Sequence, residues 1–83
     1  MNNAIDIKVY FKSVEARRAF RDSLGIAAYA ALNGRFAPKD GESRSARAGH
    51  QFRVYSELAA TDLVAHIKQF DWAYMSHTPG VVL

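Results

Sequence analysis

Ile26-Ala27-Ala28-Tyr29-Ala30-Ala31-Leu32, an apolar run set between Gly25 and Asn33-Gly34, decides between two folds. Its alanine content favours a helix, which Asn33-Gly34 would cap. A short apolar run after a glycine is equally the pattern of a buried strand, and Asn-Gly is also a hairpin signal. As a helix, the run leaves a three-stranded sheet with three helices. As a strand, it completes the order strand-helix-strand, loop, strand-helix-strand, and the flanking segments favour that choice.

Upstream, Ile5-Asp6-Ile7-Lys8-Val9-Tyr10-Phe11 alternates strictly. Ile5, Ile7, Val9 and Phe11 share one face, and Asp6, Lys8 and Tyr10 share the other, which predicts a half-buried strand with Tyr10 directed outward. Ser13 then stands as an N-cap, with Glu15 placed in the first turn where the helix dipole favours an anion. Val14, Ala16, Ala19, Phe20 and Leu24 make an apolar stripe, so a helix over about 14–24 is expected, with Gly25 as its left-handed stop. Downstream, Gln51-Phe52-Arg53-Val54-Tyr55-Ser56 alternates again and predicts a strand. Thr61 can cap a helix over about 62–70 with Leu63, Val64, Ile67 and Phe70 on its apolar face. The tail 72–83 holds Trp72, Tyr74 and Met75, then the turn Thr78-Pro79-Gly80, then Val81-Val82-Leu83, and one last strand is expected within it. Residues 1–83 are therefore expected to form a single α+β domain. It is a ferredoxin-like βαββαβ sandwich, an antiparallel sheet with two helices on one face and a long basic loop over 33–50.

Size and composition bound the rest. At 83 residues and 49% apolar content, one thin core is sustainable without staples. The absence of cysteine excludes disulfides, thiolate catalysis and thiolate zinc sites, and fits a reducing compartment. The opening residues lack the basic stretch and apolar run of a secretory signal, and the longest apolar run is about a third of a membrane span. A cytoplasmic protein without membrane contact is the expectation. Charge is unevenly spread: residues 54–83 set Lys68 against Glu57, Asp62 and Asp71, net −2, whereas the whole chain is +3. A positive front and a negative rear favour oriented docking.

Little in the chain reads as chemistry. Asp62 and His66 are one helical turn apart and can approach each other, but no nucleophile is identifiable beside them and no Gly-x-Ser-x-Gly occurs. His50 and His77 stand isolated, in a loop and near the tail, without metal-ligand spacing. Asn33-Gly34-Arg35 and Asp40-Gly41-Glu42 are turns, not a phosphate cradle. The carboxylates are scattered. No enzyme, cofactor or metal site is expected.

What remains is a surface. Arg17, Arg18 and Arg21 fall on one exposed side of the first helix, and Arg35, Lys39, Arg44, Arg47 and Arg53 lie in or just after the long loop. With Tyr10 on the outward sheet face, these are the candidate partner-binding residues. The chain is accordingly expected to be a small non-catalytic interaction protein that docks on a larger protein or nucleoprotein complex and inhibits or modulates it. Small inhibitors encoded by phages and mobile elements against host machinery such as CRISPR complexes are often of this size and equally without motifs. The alternative is a single-stranded RNA- or DNA-binding module using the open sheet face and the basic loop. RNA-recognition modules pair such a face with two sequence elements. Ala48-Gly49-His50-Gln51-Phe52-Arg53-Val54-Tyr55 meets about three of the eight positions of the second, in a register that pushes Arg53 towards the core. The chain is therefore not assigned to that family. Homodimerisation by edge-strand pairing or tail exchange is compatible with either reading.

Overall fold

The computed structural model describes residues 4–43 and 48–83. Its elements are β1 (Ile5–Phe11), α1 (Val14–Ala31), β2 (Arg35–Ala37), β3 (Gly49–Val54), α2 (Glu57–Ile67) and β4 (Trp72–His77). The four strands form one antiparallel sheet in the order β2-β3-β1-β4. This is the ferredoxin-like α+β arrangement. Among the described residues, no helix is long and apolar enough to cross a membrane.

The second strand is not where the apolar run suggested. Ile26 to Ala31 is helical, and it belongs to α1. Gly25 does take a positive φ, +81°, and breaks the helical dihedrals, but the chain then re-enters a helix. Alanine explains the outcome: Ala27, Ala28, Ala30 and Ala31 are all exposed, and Tyr29 is the one buried residue of the run. Alanine counts as apolar yet has little surface to bury, so its helix propensity decides. Asn33, at φ 55°, turns the chain, and its side-chain amide donates to the Arg53 carbonyl at 2.9 Å. The chain then enters β2 within the segment expected to be loop, so the connection between β2 and β3 shrinks to residues 38–48.

Two other boundaries move for local reasons. The third strand runs over Gly49–Val54, so His50 is a strand residue. The second helix starts at Glu57, capped by Ser56, whose Oγ accepts from the Ala59 N–H at 3.1 Å, while Thr61 lies inside the helix. We expect Ser56→Ala to cost about 1 kcal/mol in urea unfolding and Thr61→Ala to stay within about 0.5 kcal/mol. The reverse ranking would contradict this helix start. The last strand is Trp72–His77, ahead of the Thr78-Pro79-Gly80 turn.

The core lies between the sheet and the two helices. Ile5, Ile7, Val9 and Phe11 of β1 meet Phe52 and Val54 of β3 and Ala60, Leu63, Val64 and Ile67 of α2. Phe20 of α1 sits at its centre, with ring centroids 5.2 Å from Phe11, 6.0 Å from Phe52 and 5.6 Å from Phe70. Each such side chain, once buried, contributes about 1.5–3 kcal/mol. Period two sets which face each residue of β1 and β3 takes. It also puts Arg53 on the open face beside Asp6, not towards the core.

Candidate basic docking face

The α1 arginines form the candidate site. Ser13 starts the helix by accepting the Ala16 N–H at 3.0 Å, which sets Arg17 and Arg21 one turn apart on the side facing β2. Each guanidinium lies against a ring: Arg17 Cζ is 5.0 Å from the centroid of Phe36, and Arg21 Cζ is 4.1 Å from that of Tyr29. Such stacking is worth about 0.5–2 kcal/mol and holds the planar fork in place. Arg18 points into solvent. The sequence places all three on one exposed helix side. The structure corrects this for Arg17, which is only 7% exposed because Phe36 of β2 folds over it.

No carboxylate among the described residues lies within ion-pair distance of Arg17, Arg18 or Arg21. Arg17 Nε is buried without a hydrogen-bond partner. Beneath these cations the floor is polar but neutral. The Tyr29 hydroxyl and His50 Nδ1 are 2.9 Å apart, and His50 is fully buried with Nε2 unpaired. Burial, reinforced by the neighbouring Arg17 charge, pushes the His50 pKa down to about 4. Burial also raises the Tyr29 hydroxyl. Both groups are uncharged near neutral pH, so they neither repel nor neutralise the arginines.

The other expected cations are divided. Arg35 is exposed on β2, in the cross-strand row Arg35, Gln51, Lys8 on the open sheet face. It continues the basic surface around the β2 edge. Arg53 is engaged: its Nε and Nη2 donate to the two Asp6 carboxylate oxygens at 2.8 and 3.2 Å. That contact holds the Asp6 carboxyl below its ordinary pKa. Lys39 Nζ lies 5.3 Å above the Tyr10 ring. Tyr10 itself, expected to be open, is only 7% exposed, because it packs beside Tyr74 at 6.2 Å and under the 38–40 segment. Arg44 and Arg47 lie outside the described residues.

Sequence reasoning missed one contact between histidine and a hydroxyl. Ser23 Oγ is 2.7 Å from His66 Nε2, bridging the two helices beside a groove of about 370 Å³ lined by Leu24, Leu32, Leu63 and Asp62. Ser23 Oγ–H donates to the Phe20 carbonyl at 2.7 Å, so the imidazole supplies the proton of the Ser23–His66 bond. Nucleophile activation needs the opposite direction. No carboxylate bonds the other His66 nitrogen among the described residues, although Asp62 lies one turn away. Nor do three His, Cys, Asp or Glu side chains come together there as a metal site would require. The sequence holds no signal for this contact, since Ser23 and His66 are far apart in the chain.

No protein-family model, curated protein or solved structure matches the chain.

Proposed function

We propose that this chain is a non-catalytic docking protein. Its basic α1/β2 face binds an acidic surface of a larger protein or nucleoprotein complex, and it inhibits or modulates that partner by occupying the surface. The observation that carries the reading is Arg21, half-buried on the Tyr29 ring and, like the exposed Arg18 of the same helix, without a counter-ion among the described residues. A cation already ordered and partly desolvated loses little on meeting a carboxylate. Arg18 and Arg35 extend the field and steer approach. A phage- or mobile-element-encoded inhibitor of host machinery, a CRISPR complex for example, is the kind of protein that acts through shape and charge alone.

A nucleic-acid reading through the open sheet has less to stand on. The outward residues of β3 are Gly49, Gln51 and Arg53, none of them aromatic, and the exposed rings Tyr74 and Tyr55 lie apart, on β4 and just past the end of β3. Base stacking needs such rings. Affinity capture from lysate with and without nuclease tests the partner class. A protein that survives nuclease treatment is the expected result. Recovery that vanishes with nuclease would overturn the protein-partner reading in favour of single-stranded nucleic acid.

A further inference from the structure

The two edges of the sheet differ in how they are protected. β2 is three residues long, carries Arg35 and runs into Pro38, and short length, charge and proline all discourage edge pairing. β4 has none of these guards. Its six residues, Trp72-Ala73-Tyr74-Met75-Ser76-His77, include no charge and no proline. A register shift opposite Tyr10 and Phe11 leaves Ala73 without a partner on β1, but Tyr74 to His77 is regular.

Hydrogen bonding shows which groups of β4 are free. The Thr78 N–H donates to the Asp6 carbonyl at 3.0 Å. By antiparallel alternation, Ser76 and Tyr74 then face β1, while Met75 and His77 direct their N–H and C=O groups away from the sheet. No backbone hydrogen bond from elsewhere in the described chain reaches either residue.

We propose that β4 pairs with β4 of a second copy of this chain, antiparallel about a two-fold axis at Ser76, joining the two sheets into one. Charge selects this occupant and this edge. Self-pairing at β4 brings together two uncharged strands, and it sets the basic α1/β2 faces at opposite ends of the joined sheet. Pairing at β2 would instead crowd Arg35 and the α1 arginines of both copies. In the β4 register, Met75 meets His77 of the second copy and the reverse, giving about four backbone hydrogen bonds. The two Ser76 side chains face each other at the axis, and their small size permits close approach. The dimer presents two identical basic faces, and its existence does not depend on what those faces bind.

Sedimentation over a wide concentration range tests this, with two variants. Wild type is expected to shift from monomer to dimer. His77→Pro removes an outward N–H that β1 does not use, and should weaken association roughly tenfold or more. Because the chain has no cysteine, Ser76→Cys gives a second readout. Cβ atoms about 4.5–5.5 Å apart across the axis should cross-link on mild oxidation, far faster than Thr61→Cys on α2. A wild type that stays monomeric throughout overturns the proposal. So does Ser76→Cys cross-linking no faster than Thr61→Cys.

Discussion

Gly49→Ala is expected to lower the melting temperature by roughly 12–20 °C, corresponding to about 3 kcal/mol for a domain of this size. Gly49 begins β3 where that strand lies against β1 and β2. Its dihedrals are ordinary; the constraint is space. A Cβ there would overlap the Val9 carbonyl oxygen and lie 2.6 Å from Tyr10 Cδ1. The Val9 carbonyl belongs to a paired central strand, so it cannot move without loosening the ladder. Tyr10 is hemmed in by Tyr74 and Lys39. Gly25→Ala is the control, because it has a positive φ but no atom within 4 Å of the added methyl. It should cost about 1–3 kcal/mol through backbone strain alone, because φ 81° with ψ 163° is a region essentially confined to glycine. Thermal melts of both variants check the ranking. A Gly49→Ala protein that melts like wild type, or above Gly25→Ala, would contradict the close approach of β3 to β1.

The second large effect is acid sensitivity, expected to reach about 3 kcal/mol between roughly pH 6.5 and pH 4. His50 is buried and neutral in the fold, with a pKa near 4 against an ordinary 6.5. The unfolded chain therefore takes up a proton on this ring in a range where the folded chain does not. Its contribution to stability is complete above about pH 6.5 and is lost progressively as the pH falls through about 4. The charges of Arg17 and Arg21 reinforce the shift, and the Arg17 backbone only partly offsets it. Arg17 and Arg21 are cationic, and Tyr29, Phe36, Phe20 and Phe52 offer no anion. The Asp6 pair with Arg53 contributes in a lower window, below the ordinary carboxylate pKa, so the two effects separate on the pH axis. Urea midpoints measured from about pH 7 to pH 4.5 should fall for wild type. For His50→Gln, which keeps a hydrogen-bonding group near Tyr29 but does not titrate, they should start lower and stay level. Equal slopes for both proteins would remove His50 as the cause.

The parts of this fold legible in the sequence were those with long, clean periodicity. β1 alternates over its whole length, and the Ser13 cap and apolar stripe of α1 are local signals that tertiary contacts had no reason to override. β2 was illegible because Arg35-Phe36-Ala37 is too short to show a period. Ser56 ends the alternating stretch Gln51–Ser56, although the Glu57 that follows is the acidic first-turn residue of a helix. Trp72 to His77 hid its alternation among aromatic residues on both faces. The basic site was half visible. Spacing gives the cationic side of α1, but only the tertiary neighbours show that Phe36 covers Arg17, that Asp6 occupies Arg53 and that His50 forms the neutral floor.

The proposed docking contact is made by the α1/β2 arginines. The affinity of Arg18→Glu/Arg21→Glu for the captured partner, compared with wild type and with Lys8→Glu on the open sheet face, tests it most directly. Circular dichroism would verify that each variant is folded. The helix variant is expected to bind at least about tenfold more weakly, with Lys8→Glu close to wild type. Unchanged affinity for Arg18→Glu/Arg21→Glu, with the loss falling on Lys8→Glu, would contradict it.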